Sequence, residues 1–257
     1  MSTEDSDIRK AIWEAAVNGD WETIKQCLER EPSLIDVTGT ATMDERKYND
    51  LTLLHLAVMQ ACDMKVMKFL VSCGADINGI QPNPNGEIYG FSTLHAAVRF
   101  FSPVEVLHYL VSQGADVNAK VCCYTPLFYA AQINSDVDVI KYLVSSGSNI
   151  HEPDCCSGTT PLHDIAEVYS DVELWEFLIS YGADINIKGS DGWTPFLIVA
   201  RKNSIEVLQY LISQGADLNA KNKKGKTAFD VADTDEKKIF LLECMYCPGN
   251  KICSGSR

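Results

Sequence analysis

The chain has 257 residues, a formal net charge of −13 and 46% hydrophobic residues. That acidity opposes binding to nucleic-acid phosphates or anionic lipid, and makes basic or apolar protein surfaces the expected partners. No apolar run approaches the roughly 18 residues that a membrane span needs. The opening MSTEDSDIRK is polar and acidic, so a cytoplasmic protein is expected, with the nucleus as the alternative compartment.

A polar tail, 1–7, precedes AIWEAAVNGDWETIKQCLEREPSLID at 11–36, which has the spacing of two short helices but no Thr-Pro start. From there two phrases alternate. The first reads LTLLHLAV from Leu51, FSTLHAAV from Phe91, YTPLFYAA from Tyr124, TTPLHDIA from Thr159, WTPFLIVA from Trp193 and KTAFDVAD from Lys226. Its Thr or Ser hydroxyl can accept a hydrogen bond from a free N–H of a first helical turn, and Pro at the first helical position gives up an N–H that has no partner there. Each phrase therefore predicts a helix start. A second helix follows, opened by Ser102, Ser170 or Asn203 with a Glu three residues on.

The second phrase, as in YLVSQGADVN, ends that helix at Gly74, Gly114, Gly147, Gly182 and Gly215, with separations of 40, 33, 35 and 33. Glycine reaches the left-handed conformation of a helix C-cap without steric cost. Four units span 22 residues from Thr or Ser to Gly and the next spans 21, which predicts a turn one residue longer between their helices. KTAFDVADTDEKKIFLLECM at 226–245 has a shorter first helix and a charged second one, as a terminal unit should.

A unit of about 33 residues cannot bury its own apolar face, so stability has to come from stacked neighbours with atypical units at both ends. The two linked phrases resemble the ankyrin repeat and its T-P-L-H-x-A signature over residues 8–243. The resemblance implies an all-α solenoid of seven stacked helix-turn-helix units with projecting β-hairpin-like fingers. The units are expected at 8–36, 49–78, 89–118, 122–151, 157–186, 191–219 and 224–243 of a single domain, followed by a Cys-containing tail at 244–257.

The resemblance also implies that His55, His95 and His163, in the histidine slot of the signature, hydrogen-bond the backbone between units. His108 and His151 have no Ser, Cys or carboxylate at a catalytic spacing, and no Gly-rich phosphate loop is present. The chain thus reads as a non-enzymatic, monomeric protein without a cofactor, which binds another protein as an adaptor, scaffold or inhibitor.

In ankyrin proteins the fingers and the exposed ends of the first helices line a concave groove. The residue before each helix-starting Thr or Ser gives the ladder Leu51, Phe91, Tyr124, Thr159, Trp193 and Lys226. Large apolar and aromatic residues at positions facing water suit interface anchors. The helix ends add Met59, Arg99, Phe100, Ile133, Val168 and Arg201. The competing reading is that these side chains cover a neighbouring finger.

Two fingers are long, 20 residues from Pro32 to Thr52 and 18 from Gly74 to Ser92, against 12 from Gly182 to Thr194. Insertions in repeat arrays map to one face, often the binding face, although surface loops also lengthen cheaply. KNKKGK at 221–226 reads as a solvated basic loop. Among ten cysteines, the pairs Cys122-Cys123 and Cys155-Cys156 fall in adjacent fingers. Reduced thiols are expected there. The alternatives are a disulfide, or a metal- or redox-responsive binding protein, although adjacent cysteines chelate one metal poorly.

Overall fold

The computed structural model describes residues 3–43, 46–80, 90–133 and 135–246, so most of the insertion at 79–90 lies outside the described residues. The chain divides into two compact units, 1–126 and 127–257. Unit 1 holds α1 Thr3–Val17, α2 Trp21–Arg30, a 3-10 turn Pro32–Asp36, strands β1 Thr38–Met43 and β2 Arg46–Thr52, then α3 Leu53–Met59, α4 Met64–Ser72, α5 Thr93–Arg99 and α6 Val104–Ser112. α7, Pro126–Gln132, starts at the boundary. Unit 2 continues with α8 Val137–Ser145, α9 Pro161–Val168, α10 Val172–Ser180, α11 Pro195–Lys202, α12 Ile205–Ser213, α13 Ala228–Val231 and α14 Asp235–Tyr246. Helix begins earlier and ends later than the expected tails at 1–7 and 244–257: α1 includes Thr3, and Cys244 is buried in α14.

The first helices start where the hydroxyls stand. Thr52 Oγ accepts from the His55 N–H at 3.2 Å, Ser92 Oγ from His95 N–H at 3.3 Å, and Thr194 Oγ from Leu197 N–H at 3.2 Å. The second helices start one residue later than expected. Their N-caps are Pro103, Asp171 and Ser204, not Ser102, Ser170 and Asn203. Asn203 instead closes the C-terminus of α9, where its amide donates to Ala166 O at 2.8 Å and to Tyr169 O at 2.9 Å. The C-caps follow the glycines, with φ between 87° and 96° at Gly74, Gly114, Gly147, Gly182 and Gly215. In the longer turns Ala61 (φ 50°) and Phe101 (φ 53°) take that left-handed conformation without being glycine.

Small residues allow close packing. In unit 1, α3 lies against α1 and α5, with Ala57, Ala96 and Ala97 completely buried among Leu53, Leu54 and Leu56. In unit 2, α11 lies against α9 and α13, and α10 against α8 and α12, around Trp175 and Phe196, both completely buried.

Histidines join successive helix pairs. His55 Nε2 lies 3.1 Å from Phe91 O, His95 Nε2 3.1 Å from Tyr124 O, and His163 Nε2 3.1 Å from Trp193 O. A carbonyl only accepts, so Nε2 carries the proton and Nδ1 is left as an acceptor. The Thr52 hydroxyl, 2.8 Å from His55 Nδ1, and the Ser92 hydroxyl, 2.7 Å from His95 Nδ1, supply that donor. Burial holds His55 and His95 neutral, with their pKa values lowered to about 4.

A second set of bridges runs along the loops. Asn78 donates to Gly114 O at 2.9 Å and accepts from Asp116 N–H at 2.9 Å, and Asn186 does the same with Gly215 O and Asp217 N–H. His151 stands in this asparagine position and accepts from Asp184 N–H at 3.0 Å.

Among the described residues the one sheet is the antiparallel pair β1–β2, paired from Thr38↔Thr52 to Met43↔Arg46 with an irregularity between Gly39 and Ala41. Trp13 of α1 lies against Gly39 so closely that a Cβ there would come within 2.4 Å of its ring, and its indole N–H donates to Thr40 O at 2.9 Å. Glycine is required at Gly39 for this approach.

Candidate protein-binding face

In unit 1 the hairpin covers the positions that the sequence places on the surface. Tyr48 of β2 turns inward and is 6% exposed. Its ring lies 5.9 Å from Phe91 and 6.0 Å from Phe100, the second contact edge-on, a favourable geometry for aromatic pairs. The phenol oxygen accepts from Arg99 Nε at 3.4 Å, and the Arg99 guanidinium also stands 5.7 Å from the Phe91 and Phe100 ring centres. Expected as surface anchors, Leu51, Phe91 and Met59 are instead 0%, 5% and 5% exposed. The reason is tertiary: Leu51 pairs with Gly39 in the hairpin, Met59 is in the buried helix α3, and Tyr48 lies against Phe91. Arg99 and Phe100 are half-buried in the same cluster.

Tyr124 is half-buried in a tight turn, exchanging both backbone hydrogen bonds with Val121 at 3.1 Å across Cys122 (φ 57°).

Unit 2 keeps its face open. Trp193 is half-buried, and the exposed Arg201 stacks over its ring at 5.0 Å, within cation–π range. Two hydrogen bonds to the Trp193 backbone carbonyl, from Gly189 N–H at 2.9 Å and from the His163 ring, fix the chain beneath the indole. Beside the stack is a cleft of about 170 Å³, with Ser157, Thr159, Glu167, Asp191 and Lys202 in its walls. Lys202 and Glu167 pair across it.

Asp154 organises the adjoining loop: it accepts from Ser157 N–H and hydroxyl and from Thr159 N–H at 2.7–3.1 Å. Those hydrogen bonds outweigh its burial and keep its carboxyl below the usual range. Asp164, one turn before Glu167, has the opposite environment. Its Oδ2 is buried without a hydrogen-bond partner, and burial, helped by the charges of Glu167 and Asp154, pushes its pKa up to about 7.

Of the other expected residues, Ile133 and Thr159 are half-buried, while Val168 and Lys226 are exposed. Sequence reasoning missed Tyr48, Ser157, Glu167 and Lys202. Tyr48 had one signal, a lone aromatic inside the charged stretch RKYND.

The cysteines differ from the expectation of reduced thiols. Cys123 and Cys155 are disulfide-bonded, whereas Cys122 and Cys156 are free and exposed, with the sulfurs of Cys155 and Cys156 3.6 Å apart. Disulfide formation depends on Cα and Cβ geometry, which spacing in the sequence does not supply. Among the described residues no group of three or more His, Cys, Asp or Glu side chains is arranged to hold a metal ion, and no helix is long and apolar enough to cross a membrane.

A family model described as ankyrin repeats (3 copies) matches the chain over residues 12–121, 94–189 and 165–242. No curated protein matches it.

Proposed function

Because the chain belongs to the ankyrin-repeat family, whose repeats are generally protein–protein interaction modules, we propose that it is a non-enzymatic adaptor, scaffold or inhibitor that docks a partner protein on the loop-and-helix face of unit 2. One observation carries this reading: the Trp193–Arg201 stack stands at the edge of an open cleft instead of being buried by its own unit. Partly exposed Trp and Arg are the side chains most often found to dominate binding energy. Val168, 41% exposed at the end of α9, is a further exposed apolar side chain of unit 2. The net charge of −13 favours a partner with a basic or apolar surface. The protein acts as a monomer.

Selecting random peptides by display on the immobilised full-length protein tests this. Peptides bound through the face should lose at least about tenfold in affinity with Trp193→Ala, the loss of an anchor worth roughly 2 kcal/mol, while the melting temperature stays nearly constant. Selected peptides indifferent to Trp193→Ala and Val168→Ala would place the interface elsewhere.

A further inference from the structure

The two units carry the same pair of side chains at the same register. Phe91 precedes the N-cap Ser92 and Arg99 follows it by seven residues; Trp193 precedes the N-cap Thr194 and Arg201 follows it by seven. In both, the guanidinium stacks on the aromatic ring, at 5.7 Å and 5.0 Å. What differs is the third member. In unit 1 Tyr48, four residues before the N-cap Thr52 of the preceding first helix, fills the space beside the pair. In unit 2 the corresponding position, four residues before Thr160, is Cys156, which is small and exposed. The space beside Trp193 and Arg201 is the cleft.

We propose that this cleft is a receptor for a tyrosine side chain of the partner protein, and that Tyr48 in unit 1 is its intramolecular counterpart. The inference rests on the reading of unit 2 as the docking face and adds the chemistry of the anchor. The cleft volume of about 170 Å³ is close to the roughly 150 Å³ of a cavity that takes a benzene ring. The indole and Ile198 supply an aromatic and aliphatic wall, and Arg201 and Lys202 supply donors for a phenol oxygen. The Glu167 carboxylate supplies an acceptor for its proton.

The same walls give no net preference to a charged side chain. Arg201 and Lys202 are balanced by Glu167 and Asp191, and Lys202 is already paired with Glu167, so the walls carry no net charge to hold an ionic side chain. A neutral ring with one hydroxyl can accept from the cations and donate to a carboxylate; in unit 1 the Tyr48 hydroxyl accepts from Arg99.

The test uses the full chain, labelled with nitrogen-15, titrated with N-acetyl-L-tyrosinamide and observed at the Trp193 indole N–H and the Arg201 Nε–H by NMR. Saturable shifts at both signals are expected, with N-acetyl-L-phenylalaninamide binding roughly fivefold more weakly, as loss of one hydrogen bond of about 1 kcal/mol implies. Arg201→Gln should abolish that preference, and Trp193→Ala should abolish the shifts. Tyr48→Ala should create a second set of shifts at Arg99, because the counterpart in unit 1 has then been emptied.

Equal binding of the phenylalanine and tyrosine compounds, equal binding of N-acetyl-L-leucinamide, or no shift at Trp193 would overturn the proposal. Displayed peptides that depend on Trp193 but contain no tyrosine would leave the docking face standing and remove the tyrosine receptor. Tyrosinamide shifts at Trp193, alongside selected peptides that ignore it, would do the reverse.

Discussion

Units 1 and 2 start from the same local phrases and end with different surfaces. In unit 1 the paired strands Thr38–Met43 and Arg46–Thr52 bring Tyr48 onto Phe91, Arg99 and Phe100. In unit 2 a shorter loop turns tightly on the Asp154 carboxylate, and the Trp193–Arg201 pair stays uncovered. The lesson concerns loops. A long insertion in a repeat protein can enlarge a binding face, but here the described one occupies it.

The largest expected contrast between the units is their response to acid. His55 and His95 in unit 1 have pKa values of about 4, against an ordinary 6.5. An unfolded chain therefore binds protons between pH 6.5 and 4 that the folded unit refuses, so stability is full above pH 6.5 and falls as the pH drops toward 4. Each histidine removes about 3 kcal/mol across that range. Unit 2 has one such histidine, His163, lowered by burial, and Asp164 acting in the opposite sense. Urea titrations followed by NMR should show unit 1 losing more stability than unit 2 between pH 7 and pH 5. Equal losses would break the comparison.

Tyr48→Ala comes next. Removing a buried ring costs about 3 kcal/mol, and it should expose Phe91 while leaving the unit 2 midpoint unchanged. Tyr48→Phe, which keeps the ring contacts and loses the bond from Arg99, should cost about 1 kcal/mol. Both are read from the urea midpoint of unit 1 signals.

Asp164→Asn should sharpen the difference from the other side. The folded pKa of about 7 lies above the ordinary 3.8, so the neutral carboxyl is favoured, and its contribution is complete below pH 3.8 and lost as the pH rises through 7. The Asn variant should be more stable than the parent by about 2 kcal/mol at pH 8, after allowance for partial solvent screening, and indistinguishable from it near pH 4. A variant less stable at pH 8 would mean that Oδ2 has a partner.

The smallest effect belongs to the long turns. Ala61→Gly relieves a left-handed alanine and should raise the stability of unit 1 by up to about 1 kcal/mol, read from the same urea midpoint. No gain would show that the turn residue is stabilised by its surroundings.

Most of the helical architecture was legible because it is local. A hydroxyl at Thr52, Ser92 or Thr194 caps the turn that begins beside it, a proline at 161 or 195 loses no hydrogen bond, and a glycine at 74, 114 or 215 turns left-handed whatever lies across the molecule. The histidine bridges were expected from the family resemblance, and their donors and acceptors follow from the chemistry of the ring. Even the misplaced caps at Ser102, Ser170 and Asn203 erred by a single residue.

Exposure was not legible, because it depends on residues distant in the chain. Nothing near Phe91 says that Tyr48 will cover it, and nothing near Leu51 says that Gly39 will pair with it while Trp13 packs on that glycine. The sequence alone therefore determined which residues stand in the ladder, since that is a matter of register. Only the tertiary structure decided which of them meet water, since burial is set by the shape and length of a neighbouring loop: Tyr48 closes one aromatic–arginine pair, and the absence of its equivalent leaves Trp193 and Arg201 beside an open cleft.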